Sequence, residues 1–246
     1  LGDVYKRQGF LYRVYHNTAA RYNGFYYAKE AMLEADLVLY EGYEENWDEI
    51  LPVFQPVDES TAQQVYPLME RAIEKSTKVV DKHTMTPSRR EQKDLKRPEL
   101  NKWIDDNYDI IARAHLIKGD KEKALEVFQY LVRTLDYPDA QAWSNAWMAR
   151  TYMAMDDRVR ASNTLIKAAQ TNRVEDSEVM VYVHEVYAAF HLKHGEVEAA
   201  IEQLEKALRY VEKRKNHARM IFILAQCYEE AGQSEKAIAV SYTHLT

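Results

Sequence analysis

Small and apolar residues return along the second half of the chain at helical spacing and in a fixed register. Ala112 and Ala124, Ala149 and Ala161, Ala188 and Ala200, and Ala225 and Ala237 form four pairs, each twelve residues apart, and the pairs recur after 37, 39 and 37 residues. Between the members of each pair stands a turn residue: Gly119, Asp156, Gly195 or Gly232. Three positions past each first alanine comes a ring, at His115, Tyr152, His191 and Tyr228, and four past the second comes Phe128, Leu165 or Leu204. The spacing predicts two helices per copy, crossing closely at the alanines and joined where Gly or Asp accepts a left-handed turn. Neither helix covers its apolar face alone, so stacked copies create the core. The expected fold is therefore an all-α solenoid, with seven helices after residue 100 and no strand.

The first half follows another pattern. Residues 17–41 carry apolar positions at helical spacing and predict one long helix, capped by Asn17 or Thr18. Seven tyrosines lie between Tyr12 and Tyr43, read as rings packed on an amphipathic helix, and Gly24 within it marks a close approach by another backbone. Residues 43–54, YEENWDEILPVF, predict a short acidic helix ended by Pro52, and 58–83 a helical arm that Pro67 either kinks or begins. The stretch 84–100 is polar and bounded by prolines, and is expected to be an exposed linker. The organisation is then an N-terminal helical region (9–83), the linker (84–100) and four repeats (101–240), the last truncated. Residues 1–8 and 241–246 match neither the composition nor the periodicity of their neighbours. They resemble translated sequencing-adapter scars, so the chain is expected to be a fragment of a longer protein.

The small–turn–small–bulky register over 101–240 resembles the tetratricopeptide repeat, whose period is about 34 residues; these copies are slightly longer. A narrower resemblance runs over most of residues 11–135. The strings YHNTAARYNGFYYAKEAMLEA, NWDEILPVFQ, MERAIEKSTKVVDKH and NKWIDDNYDIIARAHLIKGDKEKALEVFQYL are similar to the opening of the PorW/SprE family, and WIDDNY is their most specific part. That resemblance implies a tetratricopeptide lipoprotein of Bacteroidetes serving type IX secretion and, in gliding species, motility. It implies a periplasm-facing place at the outer membrane, held by a lipidated Cys upstream of the YHN string.

Composition narrows the chemistry. The formal charge of −6 lacks the basic footprint of a nucleic-acid binder, and the single cysteine, Cys227, allows no disulfide within the chain. No apolar run is long enough to span a bilayer as a helix. No glycine loop cradles phosphate, and HEVYAAFH at 184–191 misses a zinc motif because Ala188 stands where a second His is needed. His184 and His191 occupy repeat packing positions, Cys227 reads as a small buried apolar group, and Asp105 and Asp106 point about 100° apart on a helix. A non-catalytic chain without cofactor or metal is expected.

The remaining role is protein binding. In this kind of repeat the first helix of each pair lines the concave face. The outward stripe counted from the alanines holds Asp106, Asp109, Arg113, Trp143, Arg150, Tyr182, Glu185, Arg219, Phe222 and Gln226. Aromatic anchors with Arg and Asp suit an extended peptide, and Arg150→Glu or Tyr182→Ala is expected to weaken capture with little change in thermal midpoint. Trp143 and Phe222 are equally suited to packing against the next repeat. Two other roles fit the pattern: an outer-membrane assembly factor, or the regulatory module of a larger protein with a downstream domain.

Overall fold

The computed structural model describes residues 9–93, 95, 98–211 and 217–243, and all regular structure among them is helical. The chain forms two compact units, one from Leu1–Gly42 and Val57–Ala140, the other from Tyr43–Pro56 and Gln141–Thr246. Of the expected scars, residues 1–8 and 244–246 lie outside the described residues, while 241–243 continue the last helix.

The first unit opens with α1 (Phe10–Ala19), a π-helical turn (Ala20–Phe25) and α2 (Tyr26–Glu41), which run on without a break. The helix therefore starts earlier than its sequence predicts, and Asn17 does not cap it. The Asn17 amide instead donates to the Arg13 carbonyl at 2.9 Å and accepts from the Lys102 N–H at 3.3 Å. Gly24 lies in the π turn. A Cβ there would sit 1.9 Å from Val79 Cγ2 and 3.2 Å from the Lys75 carbonyl, the close approach its position predicts. Helix α3 (Glu59–His83) begins at Asp58, whose carboxylate accepts the Thr61 N–H at 2.8 Å, and Pro67 lies in its interior. Ala28, Ala31, Met32, Ala35 and Leu39 of α2 pack on Val65, Met69 and Ala72 of α3. Ile110 and Ala114 of α5 (Ile104–Ile117) complete that core, and α6 (Lys121–Thr134) pairs with α5.

The stretch 84–100 is less exposed than its polarity predicts. It holds the single-turn helix α4 (Arg89–Gln92), and Met85, Pro87 and Glu99 are buried. The Glu99 carboxylate accepts N–H groups from Met85 and Asn101 at 2.5 and 2.7 Å, while burial pushes its pKa up to about 7. The WIDDNY string beside it is a packing junction. Ile104, Asp105 and Asn107 are buried, Trp103 meets Phe25 at 5.1 Å, and the Asn107 amide donates to the Trp103 carbonyl.

The second unit contains most of α7 (Pro138–Ala154), then α8 (Arg158–Ala169), α9 (Ser177–Lys193), α10 (Val197–Leu208), α11 (Ala218–Glu230) and α12 (Ser234–Thr243). Among the described residues eight helices follow residue 100, one more than predicted, because α12 extends to Thr243. The repeat register is built as the spacing requires. Ala112, Ala124, Ala149, Ala161, Ala188 and Ala200 are all fully buried, and Ala237 nearly so. Each turn residue is left-handed, with φ of 84° at Gly119, 57° at Asp156, 70° at Gly195 and 71° at Gly232. The next N–H then reaches back to the carbonyl of the ring residue: Asp120 to His115 and Asp157 to Tyr152 at 2.9 Å, Glu196 to His191 at 3.0 Å, and Gln233 to Tyr228 at 2.7 Å. These bonds satisfy carbonyls that the helix end leaves open. Ala225 is only partly covered, and Tyr242 is 72% exposed.

Residues 43–54 do not form the predicted helix. They run irregularly, with a turn near Trp47, and belong to the second unit. Their partners are side chains of α7, α9 and α11, and this arrangement builds the candidate site.

Candidate functional site

Leu51 and Val53 alternate along the segment and enter the apolar core of the second unit, beside Val181, Met220, Ile223 and Leu224. Between them stands Pro52, which fixes φ at about −65° and has no N–H to satisfy. The intervening and flanking main chain is held by side chains. The Gln226 amide accepts the Leu51 N–H at 3.0 Å and donates to the Glu49 carbonyl at 2.8 Å. Arg219 donates to the Pro52 carbonyl at 2.8 Å and the Val53 carbonyl at 3.4 Å, and its third nitrogen pairs with Glu45.

Rings hold the two ends. Phe54 lies 5.7 Å from the Tyr182 ring, and the Arg150 guanidinium sits over Phe54 at 4.0 Å and over Trp147 at 4.5 Å. Arg150 also donates to the Tyr182 hydroxyl at 2.9 Å. Tyr182 packs against Trp143 and Trp147 at 4.6 and 5.2 Å. At the other end Trp47 meets Phe222 edge-on at 5.4 Å; both rings keep much of their surface in solvent, 64% and 43% exposed. Glu185 is partly buried nearby. Burial raises its pKa to about 7, the Glu178 carboxylate adds to the shift, and Arg150 opposes it.

Seven of the ten predicted residues thus lie in this unit. Arg150, Tyr182, Arg219, Phe222 and Gln226 touch the segment, Trp143 backs Tyr182 across to the adjacent repeat, and Glu185 is held in the field of Arg150. The other three, Asp106, Asp109 and Arg113, lie on α5 in the first unit, where Arg113 pairs with Asp109 at 3.3 Å and Asp106 is exposed. Arg150 and Tyr182 are both packed between rings, so changing either is predicted to cost stability rather than to leave it unchanged. Sequence reading missed Trp147, one helical turn past Trp143, and the segment itself. The alternation of Leu51 and Val53 around a proline was the available signal for a docked, non-helical segment.

The remaining candidates are occupied by packing. His184 is buried, its ring nitrogen 2.9 Å from the Gln203 amide oxygen, and burial lowers its pKa. His191 sits 2.6 Å from the Glu196 carboxylate. The buried Cys227 thiol is pushed up to about 12 by burial and by Glu230, so it is not a thiolate at neutral pH. Among the described residues no group of three or more His, Cys, Asp or Glu could hold a metal ion, and no helix is long and apolar enough to cross a membrane.

With this geometry in view, the likeness to known proteins is specific about the fold. Residues 191–242 match the family model of the tetratricopeptide repeat. The fold is a tetratricopeptide-repeat solenoid. BtubC from P. vanneervenii superimposes with a TM-score of 0.50 at 16% identity, over 90% of this chain and 88% of that one. MamA aligns with a TM-score of 0.46 at 17% identity, over 78% of this chain and 95% of its own. YrrB, a tetratricopeptide protein with an unusual peptide-binding site, aligns at 0.40 and 15%, over 82% and 88%. At 16% identity the likeness to BtubC is one of fold. No curated protein matches the sequence, and the family match is to the repeat rather than to the PorW/SprE family.

Proposed function

We propose that the chain is a non-catalytic protein-interaction scaffold whose second unit grips an extended segment of a partner protein. One observation supports this most directly: the side chains of Arg219 and Gln226 bond main-chain atoms of an irregular, non-helical segment at 2.8–3.4 Å. Main-chain contacts of this kind accept many sequences, while flanking ring pockets choose among them. The cellular setting we propose is type IX protein secretion and gliding motility, at the periplasmic side of the outer membrane through a lipid anchor. It rests on the PorW/SprE resemblance of residues 11–135.

The setting is tested in a Bacteroidetes bacterium that carries the full-length gene. Deletion should abolish release of type IX cargo, and Arg219→Glu in the chromosomal copy should reduce it at least tenfold with the protein still present. Normal cargo release in the deletion strain contradicts the secretion role. A selective loss of outer-membrane barrel proteins points instead to an assembly factor.

A further inference from the structure

We propose that residues 43–56 are a tethered occupant of the second unit's groove, which a partner must displace by presenting the same chemistry. That chemistry is a non-helical acidic stretch with two aromatic rings, Tyr43 and Trp47, followed by Leu-Pro-apolar-aromatic. The inference rests on the groove reading above and adds to it the class of partner and a built-in competitor.

Three observations carry it. The segment takes its main-chain bonding from the groove: Leu51, Glu49, Pro52 and Val53 all bond to Arg219 or Gln226, across 166 to 177 residues of sequence. This is how side chains hold a separate peptide, whereas a helix or strand of the solenoid would satisfy its own backbone. The segment has Glu44, Glu45, Asp48 and Glu49 and no base; one of these acids, Glu45, pairs with Arg219, and Arg150 covers the Phe54 ring. The grip is also uneven. Leu51 and Val53 are buried, but the Trp47–Phe222 contact is largely open to solvent, so an incoming segment has an end at which to begin. The segment leaves α2 at Glu41 and rejoins α3 at Glu59, so both of its ends are tied to helices of the first unit. Such tethering holds it at a local concentration on the order of millimolar.

The test uses the full chain with residues 44–55 replaced by a Gly/Ser segment of equal length, titrated with a fluorescent peptide of sequence YEENWDEILPVFQP. The replaced chain should bind this peptide about 100-fold more tightly than the intact chain, and the peptide should raise its thermal midpoint. A scrambled peptide should do neither. No binding by the folded replaced chain, or equal affinity in both chains, overturns the inference. Trp47→Ala/Phe54→Ala in the otherwise intact chain keeps Leu51 and Val53 in place and serves if the replaced chain does not fold. It should bind the peptide about tenfold more tightly than the intact chain, and an unchanged affinity is again contrary. Arg219→Glu separates the two readings. Peptide binding that ignores it removes the groove itself, whereas Arg219-dependent binding of equal strength in both chains removes only the competitor.

Discussion

Asp156 occupies, with a side chain, the left-handed turn that Gly119, Gly195 and Gly232 occupy without one. A Cβ at any of the three glycines would meet nothing within 4 Å, so the cost of replacing them is one of backbone conformation alone. Gly195→Ala and Asp156→Val should each destabilise the fold by about 1–2 kcal/mol, measured by urea unfolding, with no change in secondary structure. Asp tolerates the conformation better than a branched residue, and the Asp156 carboxylate pairs with Lys193 of the next hairpin at 2.5 Å. Glu185 adds a pH dependence. Its folded pKa, about 7, stands above the ordinary 4.5, so its contribution is fully present below pH 4.5 and is lost as pH rises through 7. The buried His184 works in the opposite direction, but it is common to wild type and Glu185→Gln. The midpoint of Glu185→Gln should therefore gain on wild type from pH 4.5 to 7.5; a constant difference would contradict the shift.

Elements were legible where their cause is local. The alanine pairs, the turn residues and the ring after each first alanine define the hairpins from within about 35 residues, and each hairpin forms as its register requires. The long first helix was legible in kind but not in extent, because Asn17 has the chemistry of a cap yet bonds to Arg13 and Lys102 instead. Residues 43–54 were misread for a physical reason. Their acidic residues are compatible with a helix start, and the groups that hold them in an irregular path lie on α9 and α11, far away in sequence. Leu51, 2% exposed, is the anchor of that arrangement. Leu51→Ala should cost the second unit about 2–5 kcal/mol, and Tyr182→Ala, which removes a ring packed on two tryptophans, about 3–5 kcal/mol. Thermal unfolding followed by tryptophan fluorescence measures both; midpoints unchanged from wild type would mean that the segment is not docked.

For the whole molecule, the candidate site divides between the units as the sequence alone could not reveal. Asp106, Asp109 and Arg113 stay with the first, and Arg150, Tyr182, Arg219, Phe222 and Gln226 surround a segment in the second. One stripe counted from the alanines continues through all four repeats in sequence, but a solenoid register says nothing of where contact boundaries fall or which stretch of chain lies on them. The central claim is that the second unit holds an irregular segment by its main chain through Arg219 and Gln226. Hydrogen exchange read by mass spectrometry over residues 43–56 tests it most directly, in the wild type and in Arg219→Ala/Gln226→Ala. The account predicts slow exchange at the Leu51 amide in the wild type. In the variant, exchange across the segment should be at least tenfold faster, with α9 and α10 as protected as before. Equal exchange of the segment in both proteins, or loss of protection throughout the unit, would contradict it.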